Sequence, residues 1–282
     1  LGSNPFLLTG LLAGLLASIA CGVMGPYIIT RRIVFLAGAI AHIAIGGVGA
    51  AIYLTHRFPE GCSGLNPLMG ATVVSVLAAV VLAILHQRAQ ERLDTVVGAL
   101  WAIGMAAGLL LIKMTPGYHT ELMSYLFGNI AFVGWDSIRL MVGLDLIIVV
   151  VAVLWHKRVL ALCLDEEQAE LQGISVLATE IVLLVLVALT VIVLTQIVGL
   201  ILVIALLSLP AAAVAQRVPR MTSLISYSVV LSGMLTTVPR VLVYGTRISP
   251  EAAIVLAAAG IYLTAVVLRR WRRSDGAKNA AA

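Results

Sequence analysis

An all-α, polytopic membrane helix bundle is the fold class this sequence predicts, on three observations. Of its 282 residues, 61% are hydrophobic and only 11% are charged, less than half the charged share of an ordinary soluble domain. The mean hydropathy is +1.10. The apolar residues also come in runs of about 20, the length an α-helix needs to cross the ~30 Å hydrocarbon core while satisfying its own backbone polar groups.

Nine stretches have that length or nearly so: Phe6–Thr30, Phe35–Thr55, Leu68–Leu85, Val96–Ile112, Ser137–Trp155, Val176–Thr195, Val198–Gln216, Leu224–Val238 and Ala252–Leu268. Phe6–Thr30 runs straight into Arg31-Arg32 without a basic n-region or a clear cleavage site, so it reads as a span and not as a signal peptide. Phe35–Thr55 and Ala205–Ala215 are rich in Gly and Ala, which lets helix backbones approach closely in lipid. These two helices are expected at a contact between protomers and in moving parts. Leu122–Val133 is too short to cross alone and is expected to form a re-entrant or broken half-helix. The expected total is eight to ten spans in one transmembrane domain, residues 1–273, followed by a tail at 274–282.

Lys and Arg set the orientation. Arg31/Arg32, Arg88/Arg92, Lys157/Arg158, Arg217/Arg220 and the terminal Arg269, Arg270, Arg272 and Arg273 fall at alternate connections. Those connections are expected in the cytoplasm, with the C-terminus inside and, for nine segments, the N-terminus outside. The net charge of +5 follows from this asymmetry, and nothing in it points to nucleic acid. Cys21, Cys62 and Cys163 are isolated, with no CxxC, and are expected to be structural thiols.

One polar stretch of real size interrupts the apolar pattern, Lys157 to Gly173. Within it, Asp165 is a good N-cap, Glu166 and Glu167 place carboxylates in the first turn, and Gly173 suits a helix end. A short helix at the cytoplasmic membrane face is expected over 165–173. It is either a solvated connector or a docking helix for a soluble partner.

Four segments, in order along nearly the whole chain, resemble the permease subunits of ABC transporters that import zinc, manganese or iron. They are the run from Arg31 to His42 (RRIVFLAGAIAH), Glu121 to Gly128 (ELMSYLFG), Asp165-x-x-x-Ala169-x-x-x-Gly173, and Val198 to Ala215 (VGLILVIALLSLPAAAVA). The resemblance implies a permease working as a homodimer in a bacterial cytoplasmic (inner) membrane. Its implied partners are cytoplasmic ABC ATPase subunits and a periplasmic or extracytoplasmic metal-binding protein, with Zn or Mn as transported substrate and no permanently bound cofactor. It also implies that Asp165, Glu166, Glu167, Ala169 and Gly173 form the segment that couples the permease to its ATPase. The chain has no G-x-x-x-x-G-K-[ST], so it has no phosphate-cradling loop of its own and is not expected to be an enzyme.

His42 lies inside an apolar run, where an ionisable residue is costly and is expected to face the bundle interior or a wet cavity. It is the first candidate metal contact, imidazole being a common ligand for zinc. Where the family pattern has an aspartate one turn earlier, this chain has Gly38. That leaves three arrangements open: His42 from two protomers with water, another carboxylate filling in, or a different substrate. Asp145, mid-span and two turns from Arg139, is a candidate substitute ligand or half of an internal ion pair; His119 and Glu121 are candidates for an outer entry funnel. Asp136 reads as a helix-start carboxylate, Glu180 as a residue snorkelling to the cytoplasm, and His86 and His156 as helix-end caps. The alternatives are an ABC permease for a corrinoid or siderophore and a non-ABC secondary transporter. The latter needs charged relays in several spans, which this sequence lacks.

Overall fold

The computed structural model describes residues 5–62, 64–88, 93–116, 134–243, 245–246 and 249–280. All regular structure among them is helical: α1 (Pro5–Arg31), α2 (Val34–Arg57), α3 (Pro59–Cys62), α4 (Pro67–Arg88), α5 (Leu93–Lys113), α6 (Trp135–Leu164), α7 (Glu166–Leu171), α8 (Val176–Ala215), α9 (Met221–Leu242) and α10 (Pro250–Ala280). Eight helices among the described residues are long and apolar enough to cross a membrane: α1, α2, α4, α5, α6, the first arm of α8, α9 and α10. The half-helix expected at Leu122–Val133 lies outside the described residues.

The expected ninth span is instead the return arm of α8. Gly199 interrupts that helix with φ 69° and ψ 168°, a left-handed backbone that glycine adopts without steric cost. Glu180 meets Arg31 at the end of α1, with Nη2 3.1 Å from Oε2. Gly25, six residues earlier in α1, faces Leu207 and Ala211; a Cβ there would sit 3.0 Å from the Ala211 Cβ. A straight helix would place Glu180 and Ala211 about 46 Å apart. The chain therefore doubles back at Gly199, and Val203–Ala215 is a shorter apolar helix returning toward the basic end of the bundle.

α8 is the central element because it is apolar on every side, and such a helix is stable only when surrounded. Leu183, Leu184, Val187, Ala188, Val191 and Ile192 are all fully buried, and α8 packs against α1, α2, α4, α6, α9 and α10. On α6 the buried residues Ile138, Met141, Asp145, Ile148 and Ala152 recur every three or four positions, forming one stripe that packs against α1 and α8. Leu146, Val150, Val153 and Leu154 on the outer face are exposed, as a lipid-facing surface requires.

The glycines of α2 work inside the protomer, not at the protomer contact expected of them. Gly46 and Gly49 face Gly104 and Gly108 of α5, and Gly47 faces Gly70 of α4; a Cβ on Gly46 would lie 2.9 Å from the Gly104 carbonyl oxygen. The α2 span is 78% buried, whereas the spans of α5 and α10 are 17% and 11% buried. Those two helices, and not α2, offer the broad free faces. Gly49→Val drives a branched side chain into the Gly108 backbone, an overpacking that costs about 1–3 kcal/mol or more. Its expected signature is a lower melting temperature in detergent, while Gly143→Ala on α6, where the added Cβ meets nothing within 4 Å, leaves melting unchanged.

Candidate metal pathway and docking helix

Small residues let α2 and α5 approach closely, and this proximity positions His42. Its imidazole stacks on the indole of Trp101 in α5, with ring centroids 4.3 Å apart and planes 18° from parallel. Phe35, two turns earlier on the same face of α2, meets the same indole at 5.9 Å. Stacking orients a ring without occupying its nitrogens. The Nδ1 atom is enclosed and has no hydrogen-bond partner, whereas the residue as a whole is half-buried, which leaves Nε2 as the open nitrogen. Beside the stack, α5 carries a shallow apolar groove of about 480 Å³ lined by Gly98, Trp101, Ala102, Met105, Ala106 and Leu109. His42 is thus a candidate ligand with no competing hydrogen-bond partner among the described residues, beside the sparsely buried span of α5.

Gly38 faces the return arm of α8, where a Cβ would lie 3.1 Å from Cδ1 of Ile204. A carboxylate at this position would press into an apolar contact, so the glycine suits the packing found here. Asp145 does not join His42. It is 5% exposed on the α6 stripe, neither carboxylate oxygen has a hydrogen-bond partner, and the expected pairing with Arg139, which is exposed, is not formed. Among the described residues no three His, Cys, Asp or Glu side chains converge as a metal site. His119 and Glu121 lie outside the described residues. An enclosed carboxylate without partners weakens the fold, because its desolvation goes uncompensated. Asp145→Asn, nearly isosteric, is expected to melt at the same or a higher temperature than the parent; a marked drop would reveal a bound partner for that carboxylate.

The short polar helix forms as its residues predict. The Asp165 side chain accepts hydrogen bonds from the backbone N–H groups of Glu167 and Gln168, at 3.0 and 3.2 Å. At the other end Gly173 has φ 77°; its N–H donates to Glu170 O at 2.8 Å and Ile174 N–H donates to Ala169 O at 3.0 Å, the paired bonds of a Schellman motif. Ala169 is 1% exposed and anchors α7 to the bundle, whereas Leu171 at its tip is 88% exposed. Glu166, Glu167 and Glu170 are also exposed. The helix is therefore held rigidly on one side and presents carboxylates and a leucine on the other.

Beneath α7 lies an ionic cluster that sequence reasoning placed only in part. Glu180 is fully buried and does not snorkel. Its Oε2 accepts from Arg31 Nε and Nη2 at 3.3 and 3.1 Å, and its Oε1 accepts from His86 Nδ1–H at 2.9 Å. Arg31 also pairs with Glu166 of α7 and donates to the Leu162 carbonyl at 3.5 Å. The Arg31 guanidinium and the His86 N–H, between them satisfying both oxygens, are why a carboxylate one turn inside a span stays buried. His86 accordingly pairs across helices instead of capping its own, and His156 Nδ1 meets the Tyr27 hydroxyl at 2.6 Å. A cleft of about 710 Å³ opens beside the cluster, with Arg31, His86, Glu166 and Glu170 among its walls.

The family model of the ABC 3 transport family matches residues 3–269. The chain belongs to that family. It is 34% identical, over 94% of its length and 90% of the relative's, to the "Probable metal transport system membrane protein" of Chlamydia trachomatis. It is 28% identical to the manganese transport system membrane protein MntC of Halalkalibacterium halodurans, over 96% of this chain and 92% of that one. Among solved structures it superposes on PsaBC from Streptococcus pneumoniae in complex with Fab, with a TM-score of 0.81 and 27% identity over 93% of this chain and 91% of that one. As a member of an ABC transport family it is a multi-pass bacterial membrane protein and a transport permease.

Proposed function

We propose that this permease carries a divalent transition metal ion, manganese or zinc, through a pathway at the α2/α5 face, driven by ATP hydrolysis on a separate ATPase. The observation that carries the reading is His42, an intramembrane imidazole with an open Nε2, oriented by Trp101 and free of internal partners. Weak, transient contact suffices for permeation, since an ion must leave as readily as it enters. One imidazole per protomer makes the site incomplete alone, and a homodimer bringing two His42 rings together with water completes it. The sparsely buried spans of α5 and α10 provide faces for that contact. α7 is the element that docks the ATPase, and a metal-binding protein delivers the ion from the outer side. The metal named for the relative from Halalkalibacterium halodurans supports this cargo.

The test is transport by the reconstituted complex of permease, ATPase and binding protein in proteoliposomes, with radiolabelled manganese and zinc in separate arms. ATP-dependent accumulation of one of them, suppressed by an excess of the same unlabelled ion, is the expected result. Absence of accumulation in both arms while the complex hydrolyses ATP would overturn the assignment of cargo.

A further inference from the structure

One guanidinium, that of Arg31, touches three elements besides its own. It pairs with Glu166 on the docking helix α7, with the buried Glu180 at the base of α8, and with the last turn of α6 through Leu162; through Glu180 it also reaches His86 on α4. The Arg31 side chain is 11% exposed and Glu180 is 0% exposed, so the inner part of the junction is enclosed, while Glu166 at its outer end is 49% exposed. Bridging a carboxylate at membrane depth to one on a peripheral helix gives α7 a direct polar link to the bundle, beyond the apolar anchor of Ala169.

The junction stands where two routes to His42 begin. Arg31 is the last residue of α1, and α2 starts at Val34 after a tight turn in which Arg32 has φ 62°. Eight residues into α2, about 12 Å along the axis, stands His42. The second route runs through α8, which begins with Glu180 in its first turns and, after doubling back at Gly199, sets Ile204 against Gly38, one turn before His42. A displacement of α7 that pulls on Arg31 therefore moves α2 at its start and at Gly38 together. Close-packed elements of this kind transmit sub-ångström shifts because they do not deform continuously.

We propose that Arg31 is the positioning residue that links the docking helix to the metal pathway, with Glu166 as its handle on α7 and Glu180 as its anchor in the bundle. This rests on the reading of α7 as the docking helix, so docking and linkage are measured apart. Arg31→Gln removes the link itself and leaves the exposed carboxylates of α7 in place, and Glu180→Gln, which keeps an acceptor oxygen, loosens only the anchor. Gly143→Ala on α6, where the added Cβ meets nothing within 4 Å, is the control.

The experiment is hydrogen–deuterium exchange by mass spectrometry on the permease–ATPase complex in nanodiscs, nucleotide-free and trapped with ATP and vanadate. It needs no transported metal, so it does not depend on the cargo. In the parent and in Gly143→Ala, trapping changes exchange in peptides spanning the α1–α2 turn and His42. In Arg31→Gln and Glu180→Gln the ATPase still co-purifies and hydrolyses ATP, but that nucleotide-dependent change is lost. Retention of the full change in either variant, or its absence from the parent, would overturn the linkage. Loss of co-purification in Arg31→Gln would overturn it too, by assigning Arg31 to docking.

Discussion

His42→Ala abolishes metal uptake while the permease still folds and still binds its ATPase. The imidazole lies against Trp101 but is only half-buried, so its removal forfeits one aromatic contact, about 0.5–1.5 kcal/mol. A folded domain is stable by about 5–15 kcal/mol, and this loss does not unfold it. The functional loss is of another order. No three His, Cys, Asp or Glu side chains converge as a metal site among the described residues, so none of those is placed to replace the lost nitrogen. The measurement is the initial rate of manganese and zinc uptake, read beside co-purification of the ATPase; the expected rate is that of membranes lacking the permease. Uptake at the parental rate would remove His42 from the pathway.

Glu180→Ala produces the largest expected loss of stability. The carboxylate it removes is fully buried and accepts from both Arg31 and His86. Taking away one partner of such a pair costs about 3–5 kcal/mol, because the remaining charge stays desolvated without compensation. Arg31 retains Glu166, which places the expected cost at the lower end of that range. Thermal unfolding in detergent checks this: a drop of many degrees for Glu180→Ala and a smaller one for Glu180→Gln, which keeps an acceptor oxygen. A melting temperature equal to the parent's would mean that the cluster contributes no net stability.

The contrast between Glu180 and Asp145 shows how far residues can be read without their neighbours. Both are single carboxylates in apolar helices, and the sequence suggests snorkelling for one and a substitute metal ligand or an ion pair for the other. In the fold the first has two hydrogen-bond donors from other helices and the second has none. Nothing local separates them, because the partners of Glu180 come from positions 94 and 149 residues away. Trp101 was missed for the same reason: its spacing marks it as one more apolar residue of α5, and only the glycine contacts between α2 and α5 bring it onto His42.

Other features are legible because their causes are local. Apolar run length marks the spans, since a lone helix must satisfy its backbone before it meets any neighbour. The cap at Asp165 and the left-handed Gly173 delimit α7 because both act within a turn of their own residues. Length alone misread Val198–Gln216 as a full span; the turn at Gly199 became evident only from the contacts of Glu180, Leu207 and Ala211. Membrane residence, the position of the short polar helix α7 and the identity of the intramembrane histidine are thus written in the order of residues. The doubling of α8, the stack that orients His42 and the junction at Arg31 come from packing between distant segments, where side-chain volume and unpaired charge decide which surfaces meet.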